Sequence, residues 1–134
     1  MTREYLPYGQ QWLDETDIEA VDEVLQGDWL TTGPTVDRFE AALAETGGAD
    51  QAVAVNSGTA ALHAAYEAVG VEPGTNVIVP SLTFSATANS ARYLGAEVRF
   101  ADVDETLTMD PSSTESLIDE QTRAIAPVDF AGHP

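Results

Sequence analysis

The sequence has 134 residues, no cysteine, and 23 acidic against 5 basic residues, which gives a formal net charge of −18. This charge argues against nucleic acid and anionic membranes as partners, because few basic side chains are present to neutralise phosphates. The lack of cysteine excludes disulfides, thiolate catalysis and zinc–thiolate sites. No stretch approaches the roughly 18 apolar residues of a membrane span. Since Met1–Pro7 also lacks the apolar run of a signal peptide, we expect a cytoplasmic protein.

Two helices are predicted in the N-terminal third of the chain. Residues 16–19 have the pattern of a capping box, and Gly27 predicts the end of the helix that follows. After a loop at Trp29–Thr32, Pro34 suits the first turn of a second helix, which Gly47-Gly48 closes. The apolar positions at helical spacing are Ile18, Val21, Val24 and Leu25 in the first helix, and Val36, Phe39 and Leu43 in the second.

The next segment is a short apolar run, Val53–Val55, followed by a turn and another helix. We predict a buried strand there, with Gly58 permitting a tight turn at its end. The first N–H groups of a helix lack partners and carry partial positive charge, so Gly58, Thr59 and Ala60 could bind a phosphate. The alternative is that Ser57 or Thr59 is an ordinary N-cap. On these residues alone, the capping interpretation is favoured.

Further apolar runs predict three more strands that alternate with helices. The strands are predicted at Val77–Pro80, Gly95–Asp104 and Arg123–Phe130, with Ser81–Asn89 leading into one helix and Met109–Pro111 opening another. This alternation predicts an α/β fold with a mostly parallel sheet, right-handed crossovers and flanking helices. Because such a sheet normally has both faces covered, we expect exposed sheet edges and an incomplete core here.

Taken in order, these segments resemble the nucleotide-sugar aminotransferases of the DegT/StrS type, which are pyridoxal-phosphate (PLP) enzymes of the aspartate-aminotransferase fold. The matching stretches are Asp28–Pro34, Ser57–His63, Val79–Asn89, Val103-Asp104 and Pro127–Gly132. Members of this family run to several hundred residues. The resemblance therefore implies that residues 1–134 are an N-terminal portion of the large PLP-binding domain. Residues 1–46 would supply N-terminal helices and a substrate loop, and residues 47–134 the start of the α/β cofactor domain.

The resemblance also implies roles for particular residues. Gly58, Thr59 and Ala60 would bind the PLP phosphate, and Phe84 would stack on the pyridine ring. Thr31, Thr32 and Gly33 would line the entrance for the nucleotide sugar. The alternatives are a plain core position for Phe84 and an ordinary turn ahead of Pro34 for residues 31–33.

Three other polar residues have simpler expected roles. His63 falls inside a predicted helix, so we expect a buried or half-buried structural histidine. Asp102 and Asp104 could be imagined as metal ligands, but turn or capping duty is favoured and no metal site is predicted.

All five basic residues are arginine, so the sequence contains no lysine. PLP-dependent transamination needs a lysine amine to hold the cofactor as a Schiff base and to move a proton. No catalytic residue is therefore assigned, and we expect this chain to be inactive alone.

The resemblance implies an activity for the family protein. It would transfer an amino group from glutamate to a 4-keto nucleotide sugar, for amino-sugar and surface-glycan synthesis, and act as a homodimer. Tyr8–Asp14 and Pro127–Gly132 most resemble the pseudaminic-acid branch, which acts on a UDP-linked 4-keto-6-deoxy N-acetylhexosamine. The alternatives are a non-catalytic truncated remnant or interaction module, and a PLP-dependent sugar dehydratase of the same fold.

Overall fold

The computed structural model describes Pro7 and residues 9–134. The described residues fall into two compact units, which divide between Ala54 and Val55. Two predictions depend partly on residues that the structure does not describe. They are the cytoplasmic location, which rests mainly on Met1–Pro7, and the resemblance of Tyr8–Asp14 to the pseudaminic-acid branch. Of these residues, 1–6 and 8 lie outside the described part. Among the described residues, no helix is both long and apolar enough to cross a bilayer.

The first unit contains helix α1, Glu15–Gln26, which begins two residues earlier than its predicted capping box implies. Asp14 is the N-cap, and its carboxylate accepts the N–H groups of Thr16 and Asp17 while the Asp17 side chain accepts the Asp14 N–H. The predicted capping box at residues 16–19 is wrong, because the helix already begins at Glu15 and Thr16 lies inside it. The Thr16 hydroxyl instead donates to the Asp14 carboxylate. That bond is the main cause that lowers the pKa of Asp14. Gly27 follows the helix end, as predicted.

Helix α2, Pro34–Gly47, also belongs to the first unit and confirms its predicted limits. Pro34 occupies the first turn, and Gly48 caps the carboxyl end in the left-handed conformation, with φ at 64°. The apolar faces of both helices stay largely uncovered. Their exposed large side chains are Ile18, Val21 and Leu25 in α1, and Phe39 and Leu43 in α2.

The second unit is a three-stranded parallel sheet with helices, which confirms the α/β prediction. Its strands are β1, Asn76–Pro80; β2, Glu97–Ala101; and β3, Thr122–Ile125, in the order β2-β1-β3. Its helices are α3, Gly58–Ala68; α4, Ser85–Tyr93; and α5, Pro111–Leu117, with a short 3-10 turn at Phe130–Gly132.

The core of this unit is built around β1, whose five residues are all buried. Val77 and Val79 belong to a cluster with Tyr66 of α3 and Ala91 of α4, and Ile78 is also fully buried. β2 and β3 flank β1, so each has one edge without a paired strand in the described chain. This arrangement confirms the expectation of exposed sheet edges.

Three of the predicted strands differ from the structure, and of these β2 covers only Glu97–Ala101 of the predicted Gly95–Asp104. Val53–Val55 is irregular rather than a buried strand, and Val53 is 76% exposed. The reason is that a strand requires a neighbour for its backbone hydrogen bonds, and no strand of the described residues pairs with this segment. β3 stops at Ile125 instead of continuing to Phe130, since Pro127 has no N–H to donate to a ladder.

A polar network joins the strands at their amino ends. Asp119, just before β3, forms an ion pair with Arg99 of β2, with 2.6 Å between Oδ2 and Nη1. The other carboxylate oxygen accepts the amide of Asn76 at 2.8 Å, and Thr122 donates to Asn76 at 3.0 Å. Partial burial raises the pKa of Asp119, but the bonds from Arg99 and Asn76 outweigh it and lower that pKa to about 2. The network ties all three strands together at the end away from Phe84.

Candidate cofactor-binding site

The first turn of α3 combines an N-cap with unpaired backbone donors. Ser57 is the N-cap, and its hydroxyl accepts the N–H of Ala60 at 3.2 Å. The first helical backbone bond runs from the N–H of Ala61 to the carbonyl of Ser57. The N–H groups of Gly58 and Thr59 precede that bond, so the helix itself gives them no partner. Capping and phosphate binding are therefore compatible at this turn.

Gly58 is not required by the backbone or by packing within the chain. Its φ lies outside the left-handed range, so the turn does not depend on the conformational freedom of glycine. A Cβ placed on Gly58 would meet no heavy atom within 4 Å. Open space thus lies beside the unpaired N–H groups, where an anion could approach the backbone closely.

Electrostatics at this turn also favour an anion. The first turn of α3 contains no acidic residue, whereas α1 has Glu15 and Asp17 there and α2 has Asp37. The positive end of the α3 dipole is therefore not neutralised by a carboxylate in its own first turn. The first turns of α4 and α5 likewise contain no acidic residue.

Phe84 lies between the carboxyl end of β1 and helix α4, of which it is the N-cap. Its side chain is 77% exposed, so the alternative of a plain core position is wrong for the described chain. The Phe84 carbonyl accepts the N–H of Thr87 at 3.1 Å, and the Thr83 hydroxyl donates to that of Thr87 at 2.8 Å. These bonds fix the turn, and the exposed ring has a face free to stack on a flat ligand.

Helices α3 and α4 are joined by two side-chain hydrogen bonds that the sequence did not predict. The Tyr66 hydroxyl donates to the carbonyl of Thr87 at 3.0 Å, and the Ser90 hydroxyl donates to the carbonyl of Thr59 at 3.3 Å. Burial raises the pKa of the Tyr66 phenol, which keeps it a donor. The available signal was the presence of Thr87 and Ser90, three residues apart, on an alanine-rich helix.

The residues predicted for the nucleotide sugar lie in the first unit. Thr31, Thr32 and Gly33 form the loop before Pro34, as predicted, and Thr32 has a positive φ of 47°. A Cβ at Gly33 would lie 2.6 Å from the Cβ of Trp29, so glycine is required there by close packing. The loop therefore has a structural reason for its glycine, and its role towards a substrate stays a prediction.

The remaining polar candidates have structural roles. His63 is half-buried on α3, and its ring meets that of Tyr93 edge-on at 6.0 Å, which confirms the structural expectation. Asp104 accepts the N–H of Thr106 at 2.8 Å within a turn, also as expected. In the described part of the chain, no group of three or more side chains is arranged to hold a metal ion.

Comparison with known proteins agrees with this architecture. Residues 11–134 match the DegT/DnrJ/EryC1/StrS aminotransferase family. The chain is 46% identical over 129 residues to the spore coat polysaccharide biosynthesis protein SpsC of Bacillus subtilis, covering 96% of this chain and 33% of that protein. It is 41% identical over 133 residues to the UDP-4-amino-4-deoxy-L-arabinose–oxoglutarate aminotransferase of Shewanella sediminis, covering 98% and 34%.

Solved structures show the same relationship. The PLP form of the sugar aminotransferase Spr1654 from Streptococcus pneumoniae superposes with a TM-score of 0.87 at 33% identity, covering 96% of this chain and 33% of that one. PseC of Helicobacter pylori, an aminotransferase of pseudoaminic acid biosynthesis, gives 0.88 at 34% identity, covering 98% and 36%. The chain spans about a third of the length of the relatives it matches. On this evidence, the chain belongs to the DegT/DnrJ/EryC1/StrS aminotransferase family.

Proposed function

We propose that this chain supplies the phosphate-binding turn and the ring-stacking aromatic of a PLP-dependent sugar aminotransferase. The enzyme would transfer an amino group from glutamate to a 4-keto nucleotide sugar, in amino-sugar or surface-glycan biosynthesis. The observation that carries the proposal is the first turn of α3, where the N–H groups of Gly58 and Thr59 have no helical partner and a Cβ at Gly58 would meet no heavy atom within 4 Å. The names of the two sequence relatives, a polysaccharide biosynthesis protein and a UDP-sugar aminotransferase, support the substrate class.

The residues present fit the cofactor's phosphate and ring. The N–H groups of Gly58 and Thr59 and the Thr59 hydroxyl donate to the phosphate, and the Ala60 N–H can exchange its bond to Ser57 for one to the anion. The exposed Phe84 ring stacks on the pyridine. When bound, PLP supplies the electron sink for the transfer of the amino group.

Other parts of the proposal lie outside this cofactor site. Thr31, Thr32 and Gly33 would line the approach of the nucleotide sugar, and the enzyme would act as a homodimer. A UDP-linked 4-keto-6-deoxy N-acetylhexosamine is the finer substrate proposal, supported by the match to PseC. Because the sequence holds no lysine, no side chain of this chain can anchor the cofactor covalently, and we propose that the chain alone does not turn over.

Binding of pyridoxamine 5′-phosphate tests the proposal without covalent chemistry, since this compound has no aldehyde. Isothermal titration should show that the chain binds it more tightly than pyridoxamine, which lacks the phosphate. Thr59→Ala should weaken this binding by on the order of 1–2 kcal/mol, or roughly 5- to 30-fold, because one donor to a charged group is lost. Gly58→Val should weaken it further, because the side chain would fill the open space beside the donors.

Two matched variants separate binding from folding. Thr35→Ala changes the second residue of α2, the position that Thr59 holds in α3. Gly47→Val changes a helical glycine that, like Gly58, has no neighbour within 4 Å of a built Cβ. Both controls should bind pyridoxamine 5′-phosphate like the parent. The proposal is overturned if the parent does not distinguish the phosphorylated compound, or if Thr59→Ala and Gly58→Val bind it as the parent does.

A further inference from the structure

The two hydrogen bonds between α3 and α4 each end at a residue next to the proposed site. Both donors are buried, with Tyr66 4% exposed and Ser90 fully buried. Each hydroxyl crosses from its own helix to a backbone carbonyl of the other. Neither residue is needed to bind phosphate or ring directly.

The bond from Ser90 reaches the phosphate side of the site. Its acceptor is the carbonyl of Thr59, the second residue of α3, whose N–H and hydroxyl are the proposed phosphate donors. Since this carbonyl is held from α4, the first turn of α3 cannot shift along α4 without breaking the bond.

The bond from Tyr66 reaches the ring side. Its acceptor is the carbonyl of Thr87, whose N–H donates to the Phe84 carbonyl at 3.1 Å and whose hydroxyl accepts from Thr83 at 2.8 Å. Thr87 is itself buried, at 7% exposure. A displacement of α3 would therefore be transmitted through Thr87 to the turn that carries Phe84.

We propose that Tyr66 and Ser90 are positioning residues, which hold the phosphate-binding turn of α3 and the Phe84 turn of α4 at the spacing one bound cofactor requires. This inference rests on the proposed function, because it assumes that Thr59 and Phe84 contact the same ligand. A ligand that touches two groups at once gains affinity when their spacing is fixed in advance. A ligand that touches only one of them gains nothing from that spacing.

The test uses Tyr66→Phe and Ser90→Ala, which delete one hydroxyl each and keep the carbon skeleton in the core. Tyr66→Phe does not leave the Thr87 carbonyl without a hydrogen-bond partner, because this carbonyl lies inside α4 and also accepts a helical N–H. The controls are Tyr93→Phe, on an exposed tyrosine of α4, and Ser116→Ala, on a serine that bonds only within α5.

Each protein is titrated with pyridoxamine 5′-phosphate, inorganic phosphate and pyridoxamine. We expect Tyr66→Phe and Ser90→Ala to lose roughly 3- to 10-fold in affinity for pyridoxamine 5′-phosphate, the range of a single neutral hydrogen bond. Their affinities for inorganic phosphate and for pyridoxamine should stay within about twofold of the parent. The two controls should match the parent for all three probes. A purely structural role predicts a different pattern, with either no loss or an equal loss for every probe.

The outcomes separate this inference from the proposed function. If the parent prefers pyridoxamine 5′-phosphate to pyridoxamine and Thr59→Ala weakens it, the site stands. If Tyr66→Phe and Ser90→Ala then keep the parent's affinity, or lose all three probes equally, the positioning role is overturned alone. If the parent shows no preference for the phosphorylated compound, the proposed function fails and the inference fails with it.

Discussion

The assignment of β1 as the central core strand can be tested by the same side-chain truncation at two sites. Ile78 lies in β1 and is fully buried, whereas Ile18 lies on α1 and is 62% exposed. Ile→Ala removes three carbons, worth roughly 2.4 kcal/mol at about 0.8 kcal/mol per buried carbon. The cavity adds to this, so Ile78→Ala should cost about 3–4 kcal/mol of unfolding free energy.

Ile18→Ala deletes the same atoms from a site that keeps most of its side chain in water. Only about two fifths of the transfer energy is lost, and the higher helix propensity of alanine offsets part of it, so the expected cost is below about 1 kcal/mol. Urea unfolding followed by circular dichroism measures both. With a slope of about 1–1.5 kcal/mol per molar urea, Ile78→Ala should lower the midpoint by roughly 2–4 M. Equal shifts for the two variants would refute the distinction between a buried β1 and an open α1 face.

Three further predictions concern charge and cofactor chemistry. The folded pKa of Asp119, about 2 against 3.8 for the free group, means that its ion pair with Arg99 stabilises the fold above pH 4 and is lost as pH falls through 2. Asp119→Asn should therefore show a smaller loss of urea midpoint than the parent between pH 5 and pH 2.5, and equal losses would contradict the assignment. At a net charge of −18 the acidic side chains repel one another, and the range of this repulsion falls from about 30 Å at 0.01 M salt to about 3 Å at 1 M. The urea midpoint of the parent should therefore rise with salt, and a flat response would count against this. After incubation with PLP and borohydride, mass spectrometry should find label at most on the Met1 amine, and an adduct on any side chain would contradict the lysine argument.

Local sequence predicted those elements whose cause is local. The apolar run at Val77–Pro80 matches β1 to within one residue, and Pro34 and Gly48 mark the ends of α2 because their backbone preferences act at their own positions. Val53–Val55 has a similar composition but forms no strand, since strand formation depends on a pairing partner that the segment's own residues cannot supply. The pattern also failed at the start of α1, because residues 14–17 and residues 16–19 both have the spacing of a capping box and only the first of them caps the helix.

The candidate site could likewise be predicted from the sequence only where its features have a local cause. The location of the proposed phosphate-binding turn follows from the Ser57-Gly58-Thr59 sequence, because an N-cap and a helix start are local features. Neither backbone conformation nor packing within the chain gives a reason for glycine at position 58, because a Cβ there would meet no heavy atom within 4 Å. The exposure of Phe84 depends on what packs around its ring, and the bond from Tyr66 to Thr87 joins residues 21 positions apart, so neither follows from the residues of one element.

The distribution of acidic residues links the electrostatics of the whole chain to this site. The chain carries 23 carboxylates, yet residues 51–66 and 73–96 contain none. These two segments include the first turn of α3, the strand β1, the Phe84 turn and all of α4. A phosphate dianion entering this region meets helix N–H groups with no carboxylate in the first turn of α3. Carboxylates from elsewhere in the chain do reach these segments, since Glu40 accepts the N–H of Ala54 at 2.7 Å and Asp119 accepts the amide of Asn76 at 2.8 Å. The proposed phosphate contacts at Gly58 and Thr59 therefore lie in a stretch of sequence without acidic residues, although the chain as a whole is strongly acidic.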